Sequence, residues 1–140
     1  MSANRFTAGA WRVRQAFSGE RGTVTAELVI ATPLLLLALL AIIQFALWSH
    51  ATHVAQAAAA EAVAAARAQD GTAAAGQAAG LQLLADLAQG PLRSSQVDVE
   101  RTVASASASV QGEVVAVLPG VHLHVHAEAT GEVERFVPDA

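Results

Sequence analysis

Residues 20–48 read ERGTVTAELVIATPLLLLALLAIIQFALW, and the fold follows from how this stretch divides. Its last twenty-one residues, 28–48, carry no formal charge. A hydrocarbon core of ~30 Å takes about 20 helical residues at ~1.5 Å rise each, so the run is long enough to cross a bilayer. Eight leucines, three isoleucines, Val29 and Phe45 supply its apolar character. Each is worth about −0.3 to −0.6 kcal/mol when centrally placed in a span, a sum that Thr32, Pro33 and Gln44 do not reverse. Pro33 stands near the N-terminal end, where a membrane helix tolerates the loss of one backbone bond.

The flanking charges give the run a direction. Arg5, Arg12, Arg14 and Arg21 precede it, whereas the twenty residues after Trp48 contain only Arg67. The positive-inside bias therefore predicts a cytoplasmic N-terminus and an exported C-terminal part. Of the formal charge of −4, residues before Leu28 contribute +2 (four arginines, two glutamates) and residues after Trp48 contribute −6 (four arginines, ten acids). An acidic exported part argues against nucleic acid as a partner. The chain has no cysteine, which excludes disulfides, thiol catalysis and cysteine-liganded zinc.

Just before the run, Gly22 follows the basic residues and Glu27 stands five positions later, against the apolar segment. This arrangement resembles the processing site of type IV pilin-like proteins. More specifically, RGTVTAELVIATPLLLLALLAIIQFALW resembles the N-terminus of TadE/TadG-type pseudopilins, the minor pilins of tight-adherence (Flp) pilus systems. The resemblance covers residues 20–68, and the remainder only in general layout. It departs from the common pattern at Leu28, where an aromatic often follows the glutamate, and at Gln44-Phe45-Ala46, where an acidic-aromatic-glycine triplet is usual.

The resemblance implies cleavage by a prepilin peptidase between Gly22 and Thr23, and partners among other pseudopilins and pilus assembly proteins. It also gives Glu27 a role in assembly. A carboxylate at the mouth of an apolar run needs a compensating charge, and cleavage creates one in the α-ammonium of Thr23, protonated at neutral pH. Within one chain that pair has the poorer i,i+4 order, with the ammonium at the positive end of the helix dipole. A neighbouring subunit's ammonium is the better partner. The plainer reading of Glu27 is an acid marking the interfacial end of a membrane helix, where the dipole favours it.

Residues 1–22 form a basic leader, with Trp11 and Phe17 suited to inner headgroups and Arg12 and Arg14 to anionic lipid. A secretory signal cut in the alanine-rich sequence near Val54-Ala55-Gln56-Ala57 is a competing reading, although such signals have an apolar core of about 7 to 15 residues. Residues 23–48 are the transmembrane segment. Residues 49–140 hold an exported helical stalk, a second helix and a small β-sheet domain.

After Trp48, SHATHVAQAAAAEAVAAARAQ lacks glycine and proline and is rich in the strongest helix former. The spacing predicts one helix over residues 26–69, rising ~66 Å. Trp48, His50 and His53 fall at the outer interface. So many alanines give a smooth surface with little apolar energy of its own, and such a stalk gains most by lying against a partner. Asp70-Gly71 ends it, and Thr72 caps a second helix reaching to about Gln89. Leu81, Leu84, Ala85 and Ala88 share one face of that helix, flanked by Leu83 and Leu87, and Gly76 and Gly80 permit close packing on the first helix. Gly90-Pro91 stops it.

The period then changes. Val97, Val99 and Val103 alternate with polar neighbours, Gly112 interrupts a second run ending in EVVAVL, and Pro119-Gly120 marks a turn before VHLHVHAEATGEVERFV. These runs predict three antiparallel strands and a frayed tail after Phe136, hence an α+β fold. His122, His124 and His126 share one face of the last strand, adjacent pairs ~6.6 to 6.8 Å apart. Two imidazoles at that spacing could share a zinc, but three could not converge without bending the strand, so the row reads as a solvated face and the metal reading as the weaker one. Ser105, Ser107 and Ser109 alternate along a strand rather than forming a nucleophile elbow, and neither a phosphate loop nor a carboxylate pair stands out. The sequence makes no case for an enzyme or a cofactor. The expectation is a processed, single-pass pseudopilin acting through assembly. The alternatives are an uncleaved, membrane-anchored exported binding module, metal-sensitive through its histidines, and a protein released by signal peptidase.

Overall fold

Periodicity and breakers divide the chain as the computed structural model does. The structure describes residues 20–87 and 90–134; the leader reading for residues 1–19, the last turn expected for the second helix and the tail after Phe136 lie outside the described residues. Helix α1 spans Glu20–Arg67, forty-eight residues, and α2 spans Ala73–Leu87. Strands β1 (Leu92–Arg101), β2 (Ser105–Val114) and β3 (Leu123–Glu132) follow. They form one antiparallel sheet in the order β1-β2-β3. The fold is α+β, and α1 begins earlier than the apolar pattern predicts. Two compact units divide within α1, the first ending at Leu40 and the second beginning at Ala41.

In the first unit the described chain is helix alone. Its large apolar side chains are exposed, Leu35 to 70%, and only 6% of the most apolar window in the helix is buried. A core helix of a water-soluble domain would show the reverse. Pro33 lies inside the helix without ending it.

The second unit holds the core. Ala51, Val54, Ala55, Ala58, Ala59, Ala62, Val63 and Ala66 of α1 are buried, at spacings of three and four that place them along one side of the helix. All but Ala66 join one cluster with Leu84 of α2 and Val97, Ala108, Val110, Val114, Val125 and Ala127 of the sheet. The alanine-rich stretch thus lies against its own chain. Small side chains make the close approach possible. A Cβ added at Gly76 would lie 2.5 Å from the Ala62 carbonyl oxygen and 2.8 Å from the Ala66 Cβ; at Gly80 the nearest atoms, the Ala62 Cβ and Val97 Cγ1, would be 3.1 Å away.

Helix α2 is entered through the Asp70-Gly71 turn, where the Gly71 N–H donates to the Ala68 carbonyl at 2.8 Å. The Ala75 N–H donates to the Thr72 hydroxyl at 3.0 Å, the N-cap bond that satisfies one orphan donor of the first turn. The buried face of α2 differs from the expected one. It is Gly76, Gly80 and Leu84, with Leu83 packed beside the core, while Leu81 is 43% exposed and Ala85 is exposed. Glycine carries no apolar signal, so the leucines alone misplace the face by part of a turn.

The central strand β2 alternates regularly, burying Ala106, Ala108, Val110, Gly112 and Val114. In β1 the register with β2 shifts between Arg93 and Gln96, and Ser94 has a left-handed φ of 50°. One extra residue here reverses the side-chain phase. Leu92 and Val97, an odd number of positions apart, are thereby both buried. The Leu92 side chain covers Gly112, where an added Cβ would meet it at 2.8 Å. Val103, expected to continue the alternation of β1, sits in the β1–β2 connection and is 85% exposed. Gln77 of α2 donates through Nε2 to the Val97 carbonyl at 2.8 Å, occupying an acceptor on this edge strand.

Candidate functional site

The residues singled out in the sequence fall in three places. Gly22 and Glu27 lie in the first turns of α1, within the first unit, and both are exposed. Among the described residues, a Cβ added at Gly22 would meet nothing within 4 Å. The helical backbone sets Thr23 and Glu27 one turn apart on the same face. Among the described residues, no side-chain hydrogen bond or ion pair engages Glu27; its backbone is bonded within α1.

Gln44 occupies the second place. It is the one carboxamide in the uncharged run, and it is 3% exposed. Its Nε2 donates to the Val115 carbonyl at 3.2 Å. Its Oε1 accepts from the Val117 N–H at 2.7 Å and from the Leu118 N–H at 3.4 Å. One side chain therefore satisfies three backbone groups of the connection between β2 and β3, and is itself satisfied by them. The sequence reading treats Gln44 only as a tolerated polar residue and a departure from a family pattern. The signal that could have found it is its isolation, because a lone amide in a long apolar run needs a partner.

The histidines stand third, on the face of the sheet turned away from the helices, while Val125 and Ala127, which alternate with them along β3, are buried. His122 lies one residue before β3. Its Nδ1 is 3.1 Å from Glu113 Oε1, and His126 Nε2 is 2.8 Å from Glu128 Oε1. His124 is the cross-strand partner of Glu113. The His122 and His126 imidazoles are therefore each beside a carboxylate rather than turned toward a shared centre. Among the described residues no three metal-ligating side chains are gathered to hold an ion. Two shallow hollows mark this face: one is lined by Ser94, Gln96, Gln111, Glu113, His124 and His126, the other by Asp98, Glu100, Ser107, Ser109, Glu128 and Thr130. The three serines of β2 lie on this side, as their alternation predicts.

A family model described as TadE-like protein matches residues 22–64. Over these residues, under a third of the chain, the protein is similar to the TadE-like family. The match begins at Gly22, takes in Glu27 and the whole apolar run, and ends in the alanine-rich part of α1. The sequence resemblance over residues 20–68 and the matched TadE-like segment are thus nearly coextensive. Gln44 lies inside the TadE-like segment, whereas the loop it holds lies outside it. No curated protein and no solved structure matches the chain.

Proposed function

We propose that this protein is a minor pilin or pseudopilin-like membrane component that takes part in assembling a tight-adherence (Flp-type) pilus or a related secretion system, through assembly contacts rather than catalysis. The observation that carries the reading is the TadE-like match at residues 22–64, lying on a helix whose apolar half is exposed. In this reading the N-terminus is cytoplasmic and the C-terminal part exported, in keeping with the arginines before the run and the acids after it. A prepilin peptidase removes the leader after Gly22, and Thr23 becomes the first residue. Glu27 then compensates the Thr23 ammonium of a neighbouring pseudopilin, a pairing favoured by the cost of leaving either charge alone beside hydrocarbon.

Intact mass of the membrane-extracted chain tests the processing step. The expected mature chain begins at Thr23, and a bulky residue at Gly22 leaves the leader attached. An uncut chain would favour an anchored binding module, and an N-terminus near Ala55 would favour release by signal peptidase.

A further inference from the structure

In the connection between β2 and β3, residues 115–121 read Val-Ala-Val-Leu-Pro-Gly-Val and contain neither a charge nor a polar side chain; His122 completes the connection. Ala116, Pro119 and Gly120 are exposed, and Val115, Val117, Leu118 and Val121 are half-buried. The loop is fastened to Gln44, and Gln44 lies four residues, ~6 Å along the axis, inside the end of the uncharged run at Trp48. On the same helical stretch Ile42 is 66% and Phe45 65% exposed, and the Phe45 and Trp48 rings are 5.9 Å apart. An apolar loop is thus held at the depth of exposed apolar residues of the span.

Irregular backbone enters hydrocarbon only when its polar groups are satisfied within the protein. This loop meets much of that condition. The Val115 N–H donates to the Pro91 carbonyl and the Val121 N–H to the Leu118 carbonyl, the Val117 and Leu118 N–H groups donate to Gln44, and Pro119 has no N–H to satisfy. The Glu113–His122 pair brackets the loop, marking where polar surface resumes.

We propose that residues 115–121 are a membrane-contacting loop, seated in the headgroup and acyl boundary at the C-terminal end of the span, with Gln44 as the residue that positions it. The occupant of this surface is lipid, because the loop continues the exposed apolar surface of residues 42–48. The inference rests on residues 28–48 being a membrane span. Gln44 then acts as an internal strap that ties the loop to the helix at this depth.

The chain lacks cysteine, so single cysteines report position directly. Full-length protein carrying Ala116→Cys, Val103→Cys or Leu36→Cys is labelled with an environment-sensitive fluorophore in phosphatidylcholine vesicles, then exposed to doxyl-lipid and to aqueous iodide. The expected result at Ala116 is blue-shifted emission quenched by doxyl lipid more than by iodide, as at Leu36, with the opposite ranking at Val103. Adding Gln44→Leu to Ala116→Cys is expected to move that label toward iodide. Lipid quenching at Leu36 with iodide quenching at Ala116 overturns the loop contact and leaves the span intact. Iodide quenching at both sites overturns the span and the loop contact together. Shielding of Ala116 from both quenchers identifies protein as the cover and overturns the lipid assignment.

Discussion

Two stretches of one helix use apolar residues in opposite ways. Between Val24 and Ile43, α1 carries leucine, isoleucine and valine and exposes most of them; between Ala51 and Ala66 it carries mostly alanine and buries one face of it. In water the larger apolar side chain is ordinarily the buried one, because burial free energy grows with area at about 25 cal/mol per Å². The inversion shows two different tasks. Large side chains in the first stretch suit hydrocarbon, where size is favourable for insertion. Small ones in the second let α2 approach until glycine is required at the contact.

The comparison breaks most visibly if a large residue enters the second stretch. Ala62 is fully buried, with α2 glycines on its flank. Ala62→Leu is expected to destabilise the second unit by about 3 kcal/mol, the upper end for overpacking a filled site. Pulse proteolysis of the full-length chain in detergent should register it, and unchanged protection would mean that the alanine face is not tightly packed.

Gly76→Ala is the next largest change. The added Cβ would crowd the backbone oxygen of Ala62, which cannot rotate away, for a loss of about 1 to 3 kcal/mol. Helix propensity alone would give a gain of about 1 kcal/mol for glycine to alanine, so the sign of the measured change decides between contact and propensity.

The smallest effect belongs to the first stretch. Leu36→Ala removes an exposed side chain and should leave protection of the second unit unchanged, while weakening membrane insertion by about 0.3 to 0.6 kcal/mol. A loss of proteolytic protection here would contradict the division of tasks.

Much of this was legible from residues. The charge-free run, the Asp70-Gly71 break, the Thr72 cap and the close-packing role of Gly76 and Gly80 each rest on local chemistry that the surrounding fold does not override. The strand count followed from alternation, but its details did not. The extra residue at Ser94-Ser95 reverses the phase of β1, and no nearby glycine announces the left-handed turn. The leucine stripe of α2 sits part of a turn from the buried face, because Gly76 and Gly80, though legible as close-packing positions, add no weight to a hydrophobicity pattern. Of the candidate site, Glu27 was legible as a charge against an apolar run. The role of Gln44 was not, since its bonds reach across more than seventy residues of chain.

The central claim is that this helix assembles with others through Glu27, and the most direct measurement is pull-down of partner pseudopilins from membranes at matched expression, with leader removal checked by mass. Glu27→Gln keeps the apolar run intact and is expected to insert and fold normally. Recovery of partners should nevertheless fall severalfold, because the neighbour's Thr23 ammonium is left uncompensated in a low-dielectric setting. Glu27→Asp should be intermediate, keeping the charge with a shorter reach. Equal recovery with Glu27 and with Gln at this position, from chains equally processed, would contradict the account and leave Glu27 as a marker of the membrane interface.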